Sequence, residues 1–301
     1  MTSRLAFNPL PWVLTPDGFL LNRETLAAAL RQLAGIGYTG LQADVPDGFS
    51  PTQYADLLSE YGFQPAPSYF GADFADTTGQ LPRLERARAA ADVQAALGLT
   101  EIFIAQNGTP ARLAHPAVGA EPNEDRLARV ADAMVAAADV FAAAGIQAAV
   151  HPHVGSWVET EAEVRGLLDR TAGSSLAFGP DTGHLAWAGA DPAGLIRDYR
   201  DRVVGVHLKD VDTGAVTHAQ QRDASYREAV YELHVWTEPG RGSVAFPSII
   251  ELLTDFDGWY VVEVDEPNLP TAVESSQCAY DYTHAQLTRP GSTVPSQVGE
   301  S

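Results

Sequence analysis

The chain has 301 residues, 45% of them hydrophobic and 19% charged, so it is long enough for one large barrel or two ordinary domains with a substantial core. Its formal charge of -20 argues against nucleic acid or an anionic membrane as a partner, because an acidic surface repels phosphate groups. The single cysteine, Cys278, excludes an intramolecular disulfide and a cysteine-rich zinc site. The sequence has no secretory-signal pattern and no apolar run of membrane-spanning length, so we expect a cytoplasmic protein.

A helical segment, a glycine or polar break and a short apolar run recur along the chain. The opening strand is expected in RLAFNPLPW, and LAAALRQLAGIGYTGLQAD follows it with Leu26, Leu30 and Leu33 on one helix face. Six more units follow: YADLLSEYGFQPAPSY, ADVQAALGLTEIFIAQ, VAAADVFAAAGIQAAVHPH, VRGLLDRTAGSSLAFGPD, LIRDYRDRVVGVHLKD and IIELLTDFDGWYVVEVDE. Eight strands alternating with helices predict a single-domain α/β protein, a (β/α)8 TIM barrel spanning residues 1-287.

Helix starts and connections fit this register. Ser50–Gln53 and Thr160–Glu163 both have the pattern of a capping box. The stretch between His207 and Glu263 is too long for one unit, and we expect a long loop and a helix that lie over the barrel mouth. Its aromatic residues would determine which substrate shape the site accepts, or they would form a contact between subunits of an oligomer. The polar, proline-containing tail, residues 288-301, is expected to be disordered.

Every predicted strand ends in a polar residue. The eight strand ends are Asn8, Asp44, Tyr69, Gln106, His151, Asp181, His207 and Glu263. Because barrel enzymes draw their catalytic residues from the carboxyl ends of the strands, we expect these side chains to form a ring around the active site.

Four of these strand ends can bind a metal: His151, Asp181, His207 and Glu263. Two imidazoles and two carboxylates suit Mn²⁺ best, with Co²⁺, Mg²⁺, Fe²⁺ or Zn²⁺ as alternatives. Taken singly, each histidine could be structural and Asp181 could be a turn former. Glu263, however, lies in an apolar run, where a carboxylate needs a cationic partner. A metal held by all four would polarise a ketone and stabilise the enolate formed from it.

Further candidate catalysts lie close to the four residues in sequence. His153 is two residues beyond His151 and is expected on the same side of the strand. His184 could act as an acid, a base or a hydroxyl binder. Lys209 could hold a developing oxyanion, or it could pair with Asp210 or another carboxylate.

The remaining polar and glycine residues near the predicted site suggest structural roles. Glu159 is expected to belong to a helix start, and the role of Glu238 is open. Gly240 and Gly242 are typical of turns, since no nucleotide-binding glycine pattern follows a strand.

Four segments together carry a resemblance to a known family: HPHVGSWVETEAEVRGLL, FGPDTGHLAWAGADPAGLI, VVGVHLKDV and WYVVEVDEP. They resemble the xylose-isomerase-like barrel superfamily of sugar isomerases and epimerases, and the order and spacing of DTGH and HLKD are specific to it. Within the superfamily the HxHxG segment and the VxT helix start are most similar to inosose dehydratase. The resemblance implies metal binding by Asp181, His207 and Glu263, with His151 at the position of the first ligand.

His151 departs from the pattern of the ketose epimerases that the chain resembles. Those enzymes have a glutamate there, which is half of a two-carboxylate acid/base pair. With His151 in its place, the resemblance implies a dehydration or another β-elimination. A base such as His151, His153 or Glu263 would remove the α-proton, and His184 or Lys209 would assist departure of the β-group.

The sequence therefore predicts a metal-dependent lyase acting on a small keto-polyol or keto-sugar, most similar to inosose dehydratase. The alternatives are a keto-sugar isomerase or 3-epimerase, a C-glycoside deglycosidase subunit acting on 3-keto-glycosides, and a non-catalytic sugar-binding barrel. A homo-oligomer or a small partner subunit is compatible with each of them.

Overall fold

The structure is a computed structural model that describes residues 4–15 and 18–289. Its strands are, in chain order, β1 (Arg4–Phe7), β2 (Leu14–Thr15), β3 (Gly18–Phe19), β4 (Gly40–Gln42), β5 (Gln64–Ala66), β6 (Ser68–Ala72), β7 (Glu101–Gln106), β8 (Gln147–Val150), β9 (Ala177–Phe178), β10 (Gly205–Leu208), β11 (Asp210–Val211), β12 (Trp236–Thr237) and β13 (Trp259–Val262).

The helices begin after the opening strand and alternate with the strands. They are α1 (Leu10–Val13), α2 (Arg23–Leu33), α3 (Pro51–Glu60), α4 (Gln80–Ala96), α5 (Pro110–Ala114), α6 (Glu124–Ala143), α7 (Glu161–Arg170), α8 (Thr182–Trp187), α9 (Pro192–Asp198), the 3₁₀ helix η1 (Arg200–Arg202), α10 (Thr213–Gln221), α11 (Tyr226–Tyr231), α12 (Phe246–Leu252) and α13 (Ala272–Leu287). None of the helices in the described part of the chain is long and apolar enough to cross a membrane.

The described residues form a closed parallel barrel of eight strands, so the predicted (β/α)8 TIM barrel is confirmed. The hydrogen-bonded order is β10-β13-β1-β4-β5 in one sheet and β6-β7-β8-β9 in the other. Only Pro67 separates β5 from β6, and because proline has no N–H it interrupts this third barrel strand. The barrel closes between β9 and β10 through parallel bridges, Phe178 with Val203 and Asp181 with His207.

A layer of small and aromatic side chains fills the barrel interior: Ala6, Ala66, Phe103, Ala149, Ala177, Trp259 and Val261. The ring of Phe103 needs glycine on two neighbouring strands, since a Cβ at Gly179 or Gly205 would lie 2.6 or 2.7 Å from it. Phe103 in turn contacts the ring of His207, with 4.3 Å between the ring centroids. The interior layer therefore serves as the floor on which the polar residues of the barrel mouth rest.

The local predictions hold at the helix starts. Ser50 accepts from the Gln53 N–H while the Gln53 side chain accepts from the Ser50 N–H, and Thr160 and Glu163 make the same reciprocal pair. These two capping boxes fix the direction in which α3 and α7 leave the barrel mouth.

Two segments differ from the expectation. The opening strand ends at Phe7, and residues 10–13 form helix α1, which has a proline in its first turn. The excursion between β10 and β13 contains two short helices over the mouth rather than one, because Asp212 caps α10 and Ser225 separately caps α11. Between these helices, Asp223 takes a left-handed backbone conformation. Of the predicted tail, residues 290–301 lie outside the described residues.

Candidate metal and catalytic site

The four predicted metal ligands all lie at the carboxyl end of the barrel. His151 directly follows β8, Asp181 follows β9 and caps α8, His207 lies in β10, and Glu263 directly follows β13. All four are buried. His151 and Glu263 also line a cavity of about 480 Å³ at the barrel mouth.

His151 and Asp181 face each other below this cavity. His151 Nε2 lies 3.7 Å from Asp181 Oδ2. The other carboxylate oxygen, Asp181 Oδ1, accepts a 2.8 Å hydrogen bond from the His184 N–H at the start of α8. Asp181 Oδ2 itself is buried and has no hydrogen-bond partner within the described residues. The hydrogen bond from the start of α8 therefore fixes the Asp181 carboxylate through Oδ1 and leaves Oδ2 available to bind a metal ion.

His207 and Glu263 form a second pair, with His207 Nε2 3.4 Å from Glu263 Oε2. Glu263 Oε2 accepts from Asn8 Nδ2 at 2.7 Å. His207 Nε2 lies 2.7 Å from Gln42 Oε1, and since an amide oxygen only accepts, this nitrogen carries the proton. The lone pair of the ring is then on His207 Nδ1, which is buried and unpartnered among the described residues. The rings of His151 and His207 lie 4.6 Å apart.

These contacts fit a divalent cation. Two ligand atoms on one ion lie about 3 to 4 Å apart when each metal–ligand bond is about 2.1 Å, and His151 Nε2 and Asp181 Oδ2 are 3.7 Å apart. The buried atoms without a partner include Asp181 Oδ2, His151 Nδ1 and His207 Nδ1, all on predicted ligands. A buried polar atom without a hydrogen bond is costly, so these atoms point to a missing positive group.

Two groups of three residues bring potential ligand atoms close together, and neither group is contained in the predicted set of four. Ligand atoms of His151, Asp181 and His184 lie within 4.8 Å of one another, and so do those of His184, Glu263 and Asp265. His207 belongs to neither group. The structure therefore brings His184 closer to the other ligands than the sequence indicated.

Lys209, the only lysine in the sequence, is fully buried beside the carboxylates. Its Nζ donates to Glu263 Oε1 at 2.9 Å and to Asp265 Oδ1 at 2.7 Å, and it lies 3.2 Å from His184 Nε2. It also lies 4.1 Å from the centroid of the Trp236 ring. Of the ion-pair partners considered from the sequence, Lys209 therefore takes neighbouring carboxylates rather than Asp210.

Burial and charge set the protonation of this network. Burial alone would lower the pKa of Lys209, but Asp265, Glu263 and Asp181 outweigh it and hold that pKa well above the ordinary value. Burial alone would raise the pKa of Glu263, but the Lys209 ammonium holds it well below the usual range. Burial raises the pKa of Asp181 and raises that of Asp265 to about 6. With all three acids ionised, the network carries a net charge of two negative units, which matches a divalent ion.

The imidazoles of the site are neutral near pH 7. Burial lowers the pKa of His153 and of His207 to about 4. It also lowers the pKa of His151 and of His184 well below the ordinary value. Neutral imidazoles are the form that binds metals and accepts protons.

The rings of His153 and His184 pack against each other at a tilt of 36° beside the cavity, with 3.8 Å between their centroids. His153 Nδ1 lies 2.7 Å from the Val154 carbonyl oxygen, which can only accept, so Nδ1 carries the proton. His153 Nε2 therefore has the free lone pair, and the residue lines the cavity. His184 Nδ1 accepts from the Val154 N–H at 3.2 Å, and His184 does not line the cavity.

Two other carboxylates, expected at a helix start or left without a role, have structural contacts. Glu159 is buried, as is Arg112, with which it forms a 2.8 Å ion pair; it also accepts from the N–H groups of Ala117, Gly119 and Gly155. Glu238 accepts from the N–H groups of residues 268 and 269. Both carboxylates hold loops around the mouth and lie outside the cavity lining.

The two glycines lie in the turn that was expected. Gly240 has a φ of +91°, and a Cβ at Gly242 would lie 2.4 Å from Asp210 Oδ1. Asp210 Oδ2 accepts from the N–H groups of both glycines, so this turn is anchored to the strand that follows β10.

Sequence reasoning missed two residues of the site, Gln42 and Asp265. Each lies two positions from a strand-end residue, Gln42 before Asp44 and Asp265 after Glu263, so the alternation of side chains along a strand could have identified them. Asp44 and Tyr69 line the cavity as strand-end residues. Gln106, by contrast, accepts from backbone N–H groups of the loop after β6.

Comparison with protein-family models gives a match over residues 30–282 to the family described as xylose isomerase-like TIM barrel. An inosose dehydratase of Geobacillus kaustophilus (strain HTA426) is 25% identical over 293 residues, covering 95% of this chain and 92% of the relative. The rhizopine catabolism protein MocC of Rhizobium meliloti is 41% identical over 134 residues, covering 44% of this chain and 41% of that protein.

Solved structures show the same fold. A crystal structure of the IOLI protein with a bound zinc atom superposes with a TM-score of 0.69 at 15% identity, covering 94% of this chain and 98% of that one. A D-allulose 3-epimerase from Methylomonas sp. gives a TM-score of 0.68 at 18% identity, with 95% and 98% covered. The probable 3-DHS dehydratase AsbF from Bacillus anthracis gives 0.68 at 13% identity, with 93% and 98% covered.

Proposed function

Since the chain belongs to the xylose isomerase-like TIM barrel family, we propose that it is a metal-dependent lyase that dehydrates a small keto-polyol, as inosose dehydratase does. The observation that carries the reaction class is the combination of one free imidazole base, His153, with one buried ammonium group, Lys209. A β-elimination needs one base for the α-proton and one acid for the leaving group.

We assign the metal to His151, Asp181, His207 and Glu263. Nitrogen and oxygen donors without sulfur favour Mn²⁺, with Co²⁺, Mg²⁺, Fe²⁺ and Zn²⁺ as alternatives. When bound, the ion supplies a Lewis acid that polarises the ketone oxygen of the substrate. Glu263 serves better as a ligand than as a base, because the Lys209 ammonium holds its pKa well below the usual range and such a carboxylate is a weak base.

The proton steps are assigned to side chains at the cavity. His153 Nε2 takes the proton from the carbon next to the ketone, and the C–H electron pair becomes part of the enolate. The β-carbon–oxygen bond then breaks, and the departing hydroxide takes a proton and leaves as water. That proton comes from the Lys209 side of the cavity through Asp265, which lines the cavity and accepts from Lys209 Nζ at 2.7 Å. The part predicted for His184 in the departure of the β-group stays a prediction; its Nε2 lies 3.2 Å from the same Nζ.

The cavity lining favours an uncharged substrate. None of the described residues that line it is an arginine or a lysine. Lys209 lies outside the lining, and its charge is already balanced by Glu263 and Asp265. A phosphorylated sugar would therefore meet carboxylates without an opposing cation, so a keto-polyol such as 2-keto-myo-inositol fits better.

The proposal is tested by incubating the Mn²⁺-loaded protein with 2-keto-myo-inositol in deuterated water and following the products by NMR. We expect loss of one water per substrate, and loss of activity with EDTA. Deuterium incorporation into recovered ketose without loss of water would instead indicate an epimerase or isomerase. Metal binding with neither exchange nor elimination on any keto-polyol would indicate a non-catalytic binding barrel.

A further inference from the structure

The cavity at the barrel mouth has two chemically different parts. Its polar part contains the residues of the proposed reaction, together with Asn8, Gln42 and Asp44. Its apolar part is contributed by Leu10, Val13, Leu14, Phe19, Leu21, Leu26 and Val230. A polyol with a hydroxyl group on every carbon gains little from contact with a wall of this kind, because its hydroxyl groups would lose their hydrogen bonds to water there.

The cavity is also larger than a keto-inositol requires. That molecule has about twelve non-hydrogen atoms, whereas cavities of roughly 300–1,000 Å³ typically hold larger, drug-sized ligands. The cavity measures about 480 Å³. The excess lies in a site whose lining is largely aliphatic and aromatic, which suits a further apolar group rather than more hydroxyls.

The apolar wall comes from segments outside the barrel strands. Four of its seven residues belong to α1, to α2 and to the segment just before α2: Leu10, Val13, Leu26 and Leu21. The other three come from two further segments. One is the hairpin of β2 and β3, in which Leu14 pairs with Phe19. Phe19 is 51% exposed although it lines the cavity, so part of its ring is open to a ligand or to solvent. The other segment is α11, whose Tyr226 stacks at 5.2 Å on the buried Trp187 and at 6.1 Å on His153. Tyr226 therefore connects the apolar wall to the proposed base.

We infer that the substrate is a keto-polyol that carries an apolar substituent of about the size of an aromatic ring, such as an aryl or aralkyl ether. The keto-polyol part occupies the polar part of the cavity, and the substituent lies between the β2–β3 hairpin and α11. This inference rests on the proposed function for the position of the reacting ring. It adds a selectivity that the reaction itself does not require.

The inference is tested by calorimetric titration of the Mn²⁺-loaded protein with myo-inositol and with its mono-O-benzyl ethers, which bind without reacting. We expect at least one benzyl ether to bind about tenfold tighter or more, because burying about 60 Å² of apolar surface at roughly 25 cal/mol per Å² gives that factor. Phe19→Ala should remove most of the advantage. Leu20→Ala is the matched control, since Leu20 is 55% exposed next to Phe19 but does not line the cavity.

The outcomes separate this inference from the proposed function. Turnover of 2-keto-myo-inositol with no preference for any benzyl ether would overturn the substituent and leave the dehydratase intact. A preference that Leu20→Ala removes as fully as Phe19→Ala would also overturn it. Light scattering completes the test: a lower molecular mass in both variants would identify the hairpin as a contact between copies of the chain. Binding of neither ligand and no turnover would overturn both proposals.

Discussion

Replacement of Asp181 by asparagine should change the stability of the metal-free and the metal-loaded protein in opposite directions. In the metal-free protein, Asp181 Oδ2 is buried without a partner, and burial raises the pKa of this carboxyl. A raised pKa in the folded state means that the ionised form destabilises the fold at any pH above the ordinary value, so a neutral amide removes a penalty. An asparagine Nδ2 could also donate to His151 Nε2, which lies 3.7 Å from Asp181 Oδ2.

The size of both effects follows from general magnitudes. Relief of one unsatisfied buried group is worth about 1–3 kcal/mol. At about 0.6 kcal/mol per kelvin of unfolding entropy for a chain of this length, the Tm of metal-free Asp181→Asn should rise by about 2–5 °C. A metal at about 100 times its Kd adds about 2.7 kcal/mol, or about 4 °C, to the wild type, and the variant should lose this gain.

The assay is differential scanning calorimetry in EDTA and in MnCl₂. Glu159→Gln is the matched control, because it removes the same charge from a buried carboxylate. Both oxygens of Glu159 accept hydrogen bonds, Oε1 from Arg112 and Oε2 from the Gly155 N–H. The substitution should lower the Tm by about 2–5 °C or more, since buried donors lose their acceptor, and it should keep the response to metal. The ligand assignment would be refuted if no divalent cation changed the Tm of the wild type. It would also be refuted if Asp181→Asn kept the full increase in Tm on addition of metal.

Three further predictions address the base, the lysine and the floor of the site. His153→Gln should lower kcat by about 10²- to 10⁴-fold in steady-state assays while the increase in Tm with metal persists, whereas loss of both would make His153 a ligand. Reductive dimethylation followed by mass spectrometry should leave Lys209 unmodified in the folded protein and modify it only after unfolding in urea; modification in the folded state would contradict its burial. Gly205→Ala places a Cβ 2.7 Å from the ring of Phe103 and should lower the Tm by about 2–5 °C in thermal unfolding, and an unchanged Tm would mean that the interior layer can yield.

The fold could be predicted because its signal is repeated. Each helix–strand unit carries its own apolar spacing and break, and Ser50 and Thr160 mark helix starts with reciprocal caps that the structure contains. The two helices over the mouth were harder to separate, because their boundary depends on a left-handed residue, Asp223, in a segment whose composition is helical throughout. A short proline interruption such as Pro67 likewise has little effect on the pattern of a barrel strand.

The partners within the site could not be predicted in the same way. Lys209 contacts Glu263 and Asp265, which are 54 and 56 residues away, and His207 contacts Gln42, which is 165 residues away. Sequence alternation tells which face of a strand a residue occupies, but only the stagger of neighbouring strands decides which atoms meet. The tautomers of the histidines depend on those contacts, so they could not be predicted from the sequence either.

His151 and His153 show where the alternation rule stops. Two residues apart on one strand they would point to the same side, so the alternation makes both of them candidate bases. The strand β8, however, ends at Val150, and Pro152 lies between the two histidines. His151 faces Asp181, and its Nδ1 has no hydrogen-bond partner among the described residues, whereas His153 donates a hydrogen bond from Nδ1 to the Val154 carbonyl and leaves Nε2 free of it. The end of the strand thus gives the two histidines different contacts, and these contacts are why we propose His151 as a ligand and His153 as the base.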